Sequence, residues 1–229
     1  IIIIFFIPYT ASGFAACGKL FSSLFGMNYM TAMLISAIVI VGYTAAGGFF
    51  AASTTDFVQS IIMTVAIVFV LIYATVSAGG VSAVAENAKQ LPGYLSFVSS
   101  YSEATGESEP YNLLHIITTL SWGLGYFGMP HILLRFMAIE DDKKLKLSRR
   151  VASVWVVIAM AMAVLIGLVG RGLSSTGLID SLHGNDTETV IVRVAGLLST
   201  HGVFPALMAG LILAGILAST MSTADSQLL

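Results

Sequence analysis

The chain consists of long apolar runs separated by short polar stretches. Within the runs apolar residues follow one another without the strict alternation of a half-buried strand. The pattern therefore predicts helices, not the strands of a barrel. A helix that crosses a membrane needs about 20 mostly apolar residues. Six runs fit: residues 1–23, about 28–47, about 56–78, about 112–137, about 150–173 and about 203–229. Between the third and fourth runs, VSAVAENAKQL (81–91) predicts a short surface helix, and SSYSEATGESEP (99–110) reads as a loop.

Composition sharpens this picture. The chain is 57% hydrophobic and only 10% charged, with a mean hydropathy of +0.93. A soluble domain carries roughly 25% charged residues. So few charges cannot cover a water-facing surface, which makes this an all-α membrane protein in contact with the lipid bilayer. A net charge of −2 argues against nucleic acid as a partner. The single cysteine, Cys17, excludes an internal disulfide and a cysteine-built metal site. The opening IIIIFFIPYT has no initiator Met and no basic leader, so it is not a signal peptide, and the chain reads as a piece of a longer protein.

Orientation follows from the basic residues. Arg135, Lys143, Lys144, Lys146, Arg149 and Arg150 make up six of the ten Lys and Arg, and all surround segment 138–150. That loop is expected on the cytoplasmic side of the cell membrane. Alternation then puts loops 79–111 and 174–202 outside, the first of them carrying Glu86, Glu103, Glu107 and Glu109.

Candidate chemistry lies where polar groups interrupt the apolar runs. The uncharged stretch PALMAGLILAGILA (205–218) leads directly into STMSTADSQLL (219–229). Ser219, Ser222, Thr223 and Ser226 are spaced i, i+3, i+4, i+7, which puts all four on one helical face beside Asp225. Small hydroxyl residues also serve close helix packing. The aspartate adds to the case, because a carboxylate at the bilayer centre costs about 2.5–3.5 kcal/mol. Hydroxyl, carbonyl and carboxylate oxygens suit a hard cation, although Asp225 could instead pair with another helix. Asp56, in STTDFVQS (53–60), lies at the start of the third run, and with Gln59 it has the spacing of a capping box. A capping role and an ion role are both open for it.

The fourth run holds Gly123, Gly125, Gly128 and Pro130, which predict a broken helix near Gly123–Gly128. Irregular backbone at membrane depth is tolerated against protein or a watery cavity, which is how secondary transporters make substrate sites. Trp122 and Tyr126, four residues apart, share a face at the break and could wall a small solute. His131 reads as a satisfied structural group, and Tyr9, after Pro8, as a packing tyrosine.

Taken together, WGLGYFGMPHILLRFMA (122–138), GYTAAGGFFAASTTDFVQ (42–59) and MSTADSQLL (221–229) resemble the sodium:solute symporter family, in its sodium/proline branch. The resemblance runs over essentially the whole chain. It implies part of a leucine-transporter-type bundle of two inverted repeats. The six transmembrane helices here would be core helices three to eight of a single transporter domain spanning 1–229, with flanking helices missing on both sides. It implies sodium ligands at Ser222 and Thr223, with the carbonyl of Ser219. A possible second sodium position would use Asp56, Asp225 and Ser226. It implies a solute site shaped by Trp122, Tyr126, Pro130 and Tyr9, with Met129 standing where glutamine is common. The implied function is sodium-coupled import of a small solute, proline foremost, by alternating access, with no cofactor beyond the coupling ion. The alternatives are import of pantothenate or another small solute, a transporter-like sensor module of a signalling protein, and a scaffold or channel without coupled transport. An enzyme is not expected, since no nucleophile–base pair, zinc spacing or phosphate loop occurs. Oligomeric state is open.

Overall fold

A computed structural model of the chain describes residues 2–102 and 104–229. Ile1 and Glu103 lie outside the described residues. The elements in chain order are α1 (Ile2–Phe25), α2 (Tyr29–Ser77), α3 (Val81–Lys89), β1 (Ser99–Tyr101), β2 (Ser108–Pro110) and α4 (Leu113–Gly125). A 3-10 turn (Tyr126–Gly128) leads to α5 (Pro130–Met137) and α6 (Asp142–Ser175). A second 3-10 segment (Gly184–Thr189), α7 (Val190–Ser199) and α8 (Val203–Leu228) complete the order. Four helices among the described residues are long and apolar enough to cross a membrane: Ile2–Ser22, Tyr29–Ser77, Asp142–Ser175 and Val203–Leu228. The chain divides into two compact units, residues 1–68 with 198–229, and residues 69–197.

The second and third runs are not separate helices. They join in α2, which leaves helical geometry at one residue, Gly48, with φ 55° and ψ −148°. Only glycine adopts that backbone readily, so one residue redirects the helix between two stretches of good helix formers. The join also overturns the capping-box reading of Asp56. Asp56 lies eight residues beyond the bend, inside the second arm of α2, where backbone donors already have helical acceptors.

In the first unit α1 packs along α8. Gly13 on α1 sits against Ala224 on α8, and Gly18 lets Met33 and Tyr29 of α2 approach closely. Cys17, Ile40 and Ala224 form a fully buried cluster, with Phe14, Tyr43 and Met221 packed on it. On the other side Gly215 of α8 faces Ala66, Ile62 and Met63 of α2. The glycine lets the two backbones come together where lipid offers no hydrophobic force to join them.

In the second unit α3 packs on α6, with Gly172 against Ala78 and Val84. Segment 99–110, read as a loop, contains a short antiparallel hairpin with Ser99 opposite Pro110, Ser100 opposite Glu109 and Tyr101 opposite Ser108. Ser102 N donates to the Glu107 carbonyl at 3.0 Å and closes the turn. Helix α6 starts earlier than the apolar run does, so Lys143, Lys144, Lys146, Arg149 and Arg150 occupy its first turns, not a loop. Asp141 caps it through the Lys143 N–H at 2.9 Å, and Lys144 pairs with Glu140 at 2.8 Å. Capping is local chemistry that ignores hydropathy, which explains the earlier start.

Candidate ion-binding cluster

The polar end of α8 is helical through Leu228, so the i, i+3, i+4, i+7 spacing does place hydroxyls along one side. The hydroxyls of Ser222, Thr223 and Ser226 each have a defined place for the proton. Ser222 Oγ and Thr223 Oγ1 both donate to the Ser219 carbonyl, at 3.3 and 3.0 Å. Ser226 Oγ donates to the Ser222 carbonyl at 2.6 Å. With the protons turned back on the helix, the hydroxyl lone pairs are left to accept, which is the state needed to coordinate a cation. Ser219 and Ser222 are half-buried, and Thr223 is exposed.

Beyond these hydroxyls two carboxylates meet. Ser226 Oγ lies 3.5 Å from Asp56 Oδ2 and 3.4 Å from Asp225 Oδ1. One hydroxyl thus stands between acidic residues from two helices, with Asp56 170 positions before the serine in sequence. Asp225 is 0% exposed. Its second oxygen, Oδ2, accepts a hydrogen bond from the Tyr43 hydroxyl at 2.7 Å. Among the described residues no three His, Cys, Asp or Glu side chains cluster as they would around a transition metal. The donors here are oxygens, with just two carboxylates, the chemistry of a hard ion of low charge.

Of the residues singled out by sequence, Asp56, Asp225 and Ser226 come together, and Ser219, Ser222 and Thr223 form the adjoining turn of α8. Tyr43 was missed. Nothing in GYTAAGG marks its tyrosine as the partner of a carboxylate 182 residues later.

The solute candidates fall in both units. Tyr9 is on α1, where its carbonyl accepts from Ser12 Oγ at 2.6 Å and its ring meets Phe6 edge-on at 5.8 Å. Trp122 and Tyr126 belong to the second unit and form an edge-to-face pair with centroids 5.5 Å apart. Both are exposed. The helix break lies at the C-terminal edge of the expected stretch. Helix α4 continues through Gly123 and Gly125, tightens into the 3-10 turn and stops at Met129, which is extended with φ −68° and ψ 117°. Pro130 dictates this position: it disfavours helical geometry in the residue before it, and it starts α5 well because its first-turn N–H is not needed. The Met129 carbonyl then accepts from Ile132 and Leu133, both at 3.1 Å.

Long apolar helices, an interrupted helix and a buried carboxylate beside hydroxyls define an all-α, multi-pass membrane protein. Residues 1–229 match the model of the Sodium:solute symporter family, and the chain belongs to that family. It is a family of transporters, not of enzymes. The chain is similar to Sodium/proline symporter 2 of Staphylococcus saprophyticus, at 39% identity over 229 residues, covering 100% of this chain and 41% of the relative. It is also similar to the sodium/proline symporter of Staphylococcus aureus strain USA300 / TCH1516, at 38% identity over 231 residues, again covering 100% of this chain and 41% of the relative. The chain thus spans about two fifths of the length of the curated relatives it matches. No solved structure matches.

Proposed function

We propose that this chain is the ion-binding and part of the solute-binding portion of a sodium-coupled symporter that imports a small organic solute, with proline the favoured substrate. The observation that carries the reading is the meeting of Asp56, Asp225 and Ser226 beside the Ser219–Thr223 turn. Two carboxylates held at one hydroxyl repel each other, and a cation between them relieves that repulsion. Sodium is the coupling ion in this reading, and no other cofactor takes part. The names of the two relatives support sodium and proline.

Six membrane crossings follow if the two arms of α2 each cross and α4 and α5 cross together as one interrupted segment. Positive charge at the start of α6 favours a cytoplasmic 138–150, with 79–111 and 174–202 extracytoplasmic, in a cell membrane. The six helices belong to one transporter domain of inverted-repeat type, completed by the rest of the length such relatives have. Sodium entering down a membrane potential gains about 2.3 kcal/mol per 100 mV, which drives the solute inward when the two bind together. Trp122, Tyr126 and Pro130, at the break in the second unit, contact the solute in this reading, and Tyr9 of the first unit is a separate solute candidate.

The test is radiolabelled proline uptake by the full-length protein in proteoliposomes, with an inward gradient of sodium or of potassium. Sodium should drive concentrative uptake and potassium should not. Equal uptake in both salts would leave a channel or scaffold. Sodium-driven uptake of pantothenate but not proline would keep the mechanism and replace the solute.

A further inference from the structure

The Tyr43 hydroxyl reaches from the first arm of α2 to Asp225, and no sequence motif required it. Its ring packs on Cys17, Ile40 and Ala224, so the phenol is held by the core of the first unit. Its hydroxyl donates to Asp225 Oδ2 at 2.7 Å. Asp225 is 0% exposed, so water is not at hand to replace that donor.

The two oxygens of Asp225 therefore have separate partners. Oδ2 is tied to Tyr43, and Oδ1 faces Ser226 Oγ at 3.4 Å, on the side where Asp56 Oδ2 lies 3.5 Å from the same hydroxyl. We propose that Tyr43 is the positioning residue of the ion cluster: by holding Oδ2 it aims Oδ1 of Asp225 at the place between Ser226 and Asp56, and so sets the sodium affinity without touching the ion. This rests on the sodium-coupled reading above.

A carboxylate with both oxygens buried needs a donor for each. Without the phenol, Oδ2 loses that donor, and the Ser226 hydroxyl, 3.4 Å from Oδ1, is beside the same carboxylate. Turning to it draws the Ser226 proton away from the Ser222 carbonyl, where it is now held at 2.6 Å. The hydroxyl lone pairs and Oδ1 then no longer converge. A charge-assisted hydrogen bond of this kind corresponds to a shift of roughly tenfold or more in an equilibrium constant.

The experiment uses the full-length protein in proteoliposomes and reads sodium-dependent proline uptake as sodium is varied. Tyr43→Phe keeps the ring in its packing and removes only the hydroxyl. The expected result is a roughly tenfold rise in half-saturating sodium, with the proline concentration for half-maximal uptake at saturating sodium unchanged and the protein still folded. Placed on an Asp225→Ser background, the same substitution should add no further shift, because the carboxylate it positions is gone. A Tyr43→Phe protein with wild-type sodium dependence overturns the assignment, as does a full additional shift on the Asp225→Ser background. Wild-type uptake indifferent to sodium would instead overturn the coupling reading and this assignment with it.

Discussion

Asp225 shows why single polar residues in an oily chain carry so much information. A carboxylate at membrane depth costs about 2.5–3.5 kcal/mol, so it persists where something offsets the cost. Part of the offset is visible: Tyr43 donates to one oxygen, and Ser226 stands beside the other. Asp56, Asp225 and Ser226 were legible in the sequence because ionisable and clustered hydroxyl groups are rare in such runs. Tyr43 was not legible, because a tyrosine among alanines and glycines has the look of a packing residue and its role depends on a contact 182 positions away. Trp122 and Tyr126 were legible as a pair, since four residues in a helix is one turn. If they wall the solute, Trp122→Ala should raise the proline concentration for half-maximal uptake about tenfold, as expected for losing an aromatic contact with the solute. Sodium-driven uptake should persist at high proline. Unchanged proline dependence would move the solute elsewhere.

At the scale of elements, apolar runs located the helices, while glycine, proline and caps determined where they bend and stop. Hydropathy alone separated the two arms of α2, because STTD (53–56) interrupts the run. The backbone stays helical there, and the hydroxyls are satisfied by bonding back to it: Thr54 to the Phe50 carbonyl at 2.8 Å, and Thr55 to Ala51 at 3.0 Å. The change of direction comes earlier, at Gly48. The start of α6 was misplaced for the opposite reason, an Asp141 cap that lies in polar sequence. Helix α8 approaches α2 closely at Gly215. A Cβ added at Gly215 would stand 2.8 Å from Ala66 Cβ and 3.7 Å from the Ile62 carbonyl. Gly215→Val should therefore push α8 from α2, at a cost of about 1–3 kcal/mol. The thermal midpoint of the full-length protein in detergent should fall by several degrees, and Asp56 should move away from Ser226. An unchanged midpoint would show that the two helices need no such contact.

For the molecule as a whole, class was legible from composition and family from three motifs, because both are distributed over the entire chain. The candidate ion cluster is a long-range property: it draws on α2 and α8, which are far apart in sequence and meet in the first unit. The central claim is that the oxygens of α8 hold a sodium ion. It is tested most directly by equilibrium binding of radioactive sodium to the purified full-length protein, wild type beside the Ser222→Ala/Thr223→Ala double variant. Wild-type protein should bind sodium saturably, and the double variant should bind it roughly tenfold or more weakly, having lost two hydroxyl ligands, while remaining folded. Sodium binding of equal affinity in the folded double variant would contradict the claim.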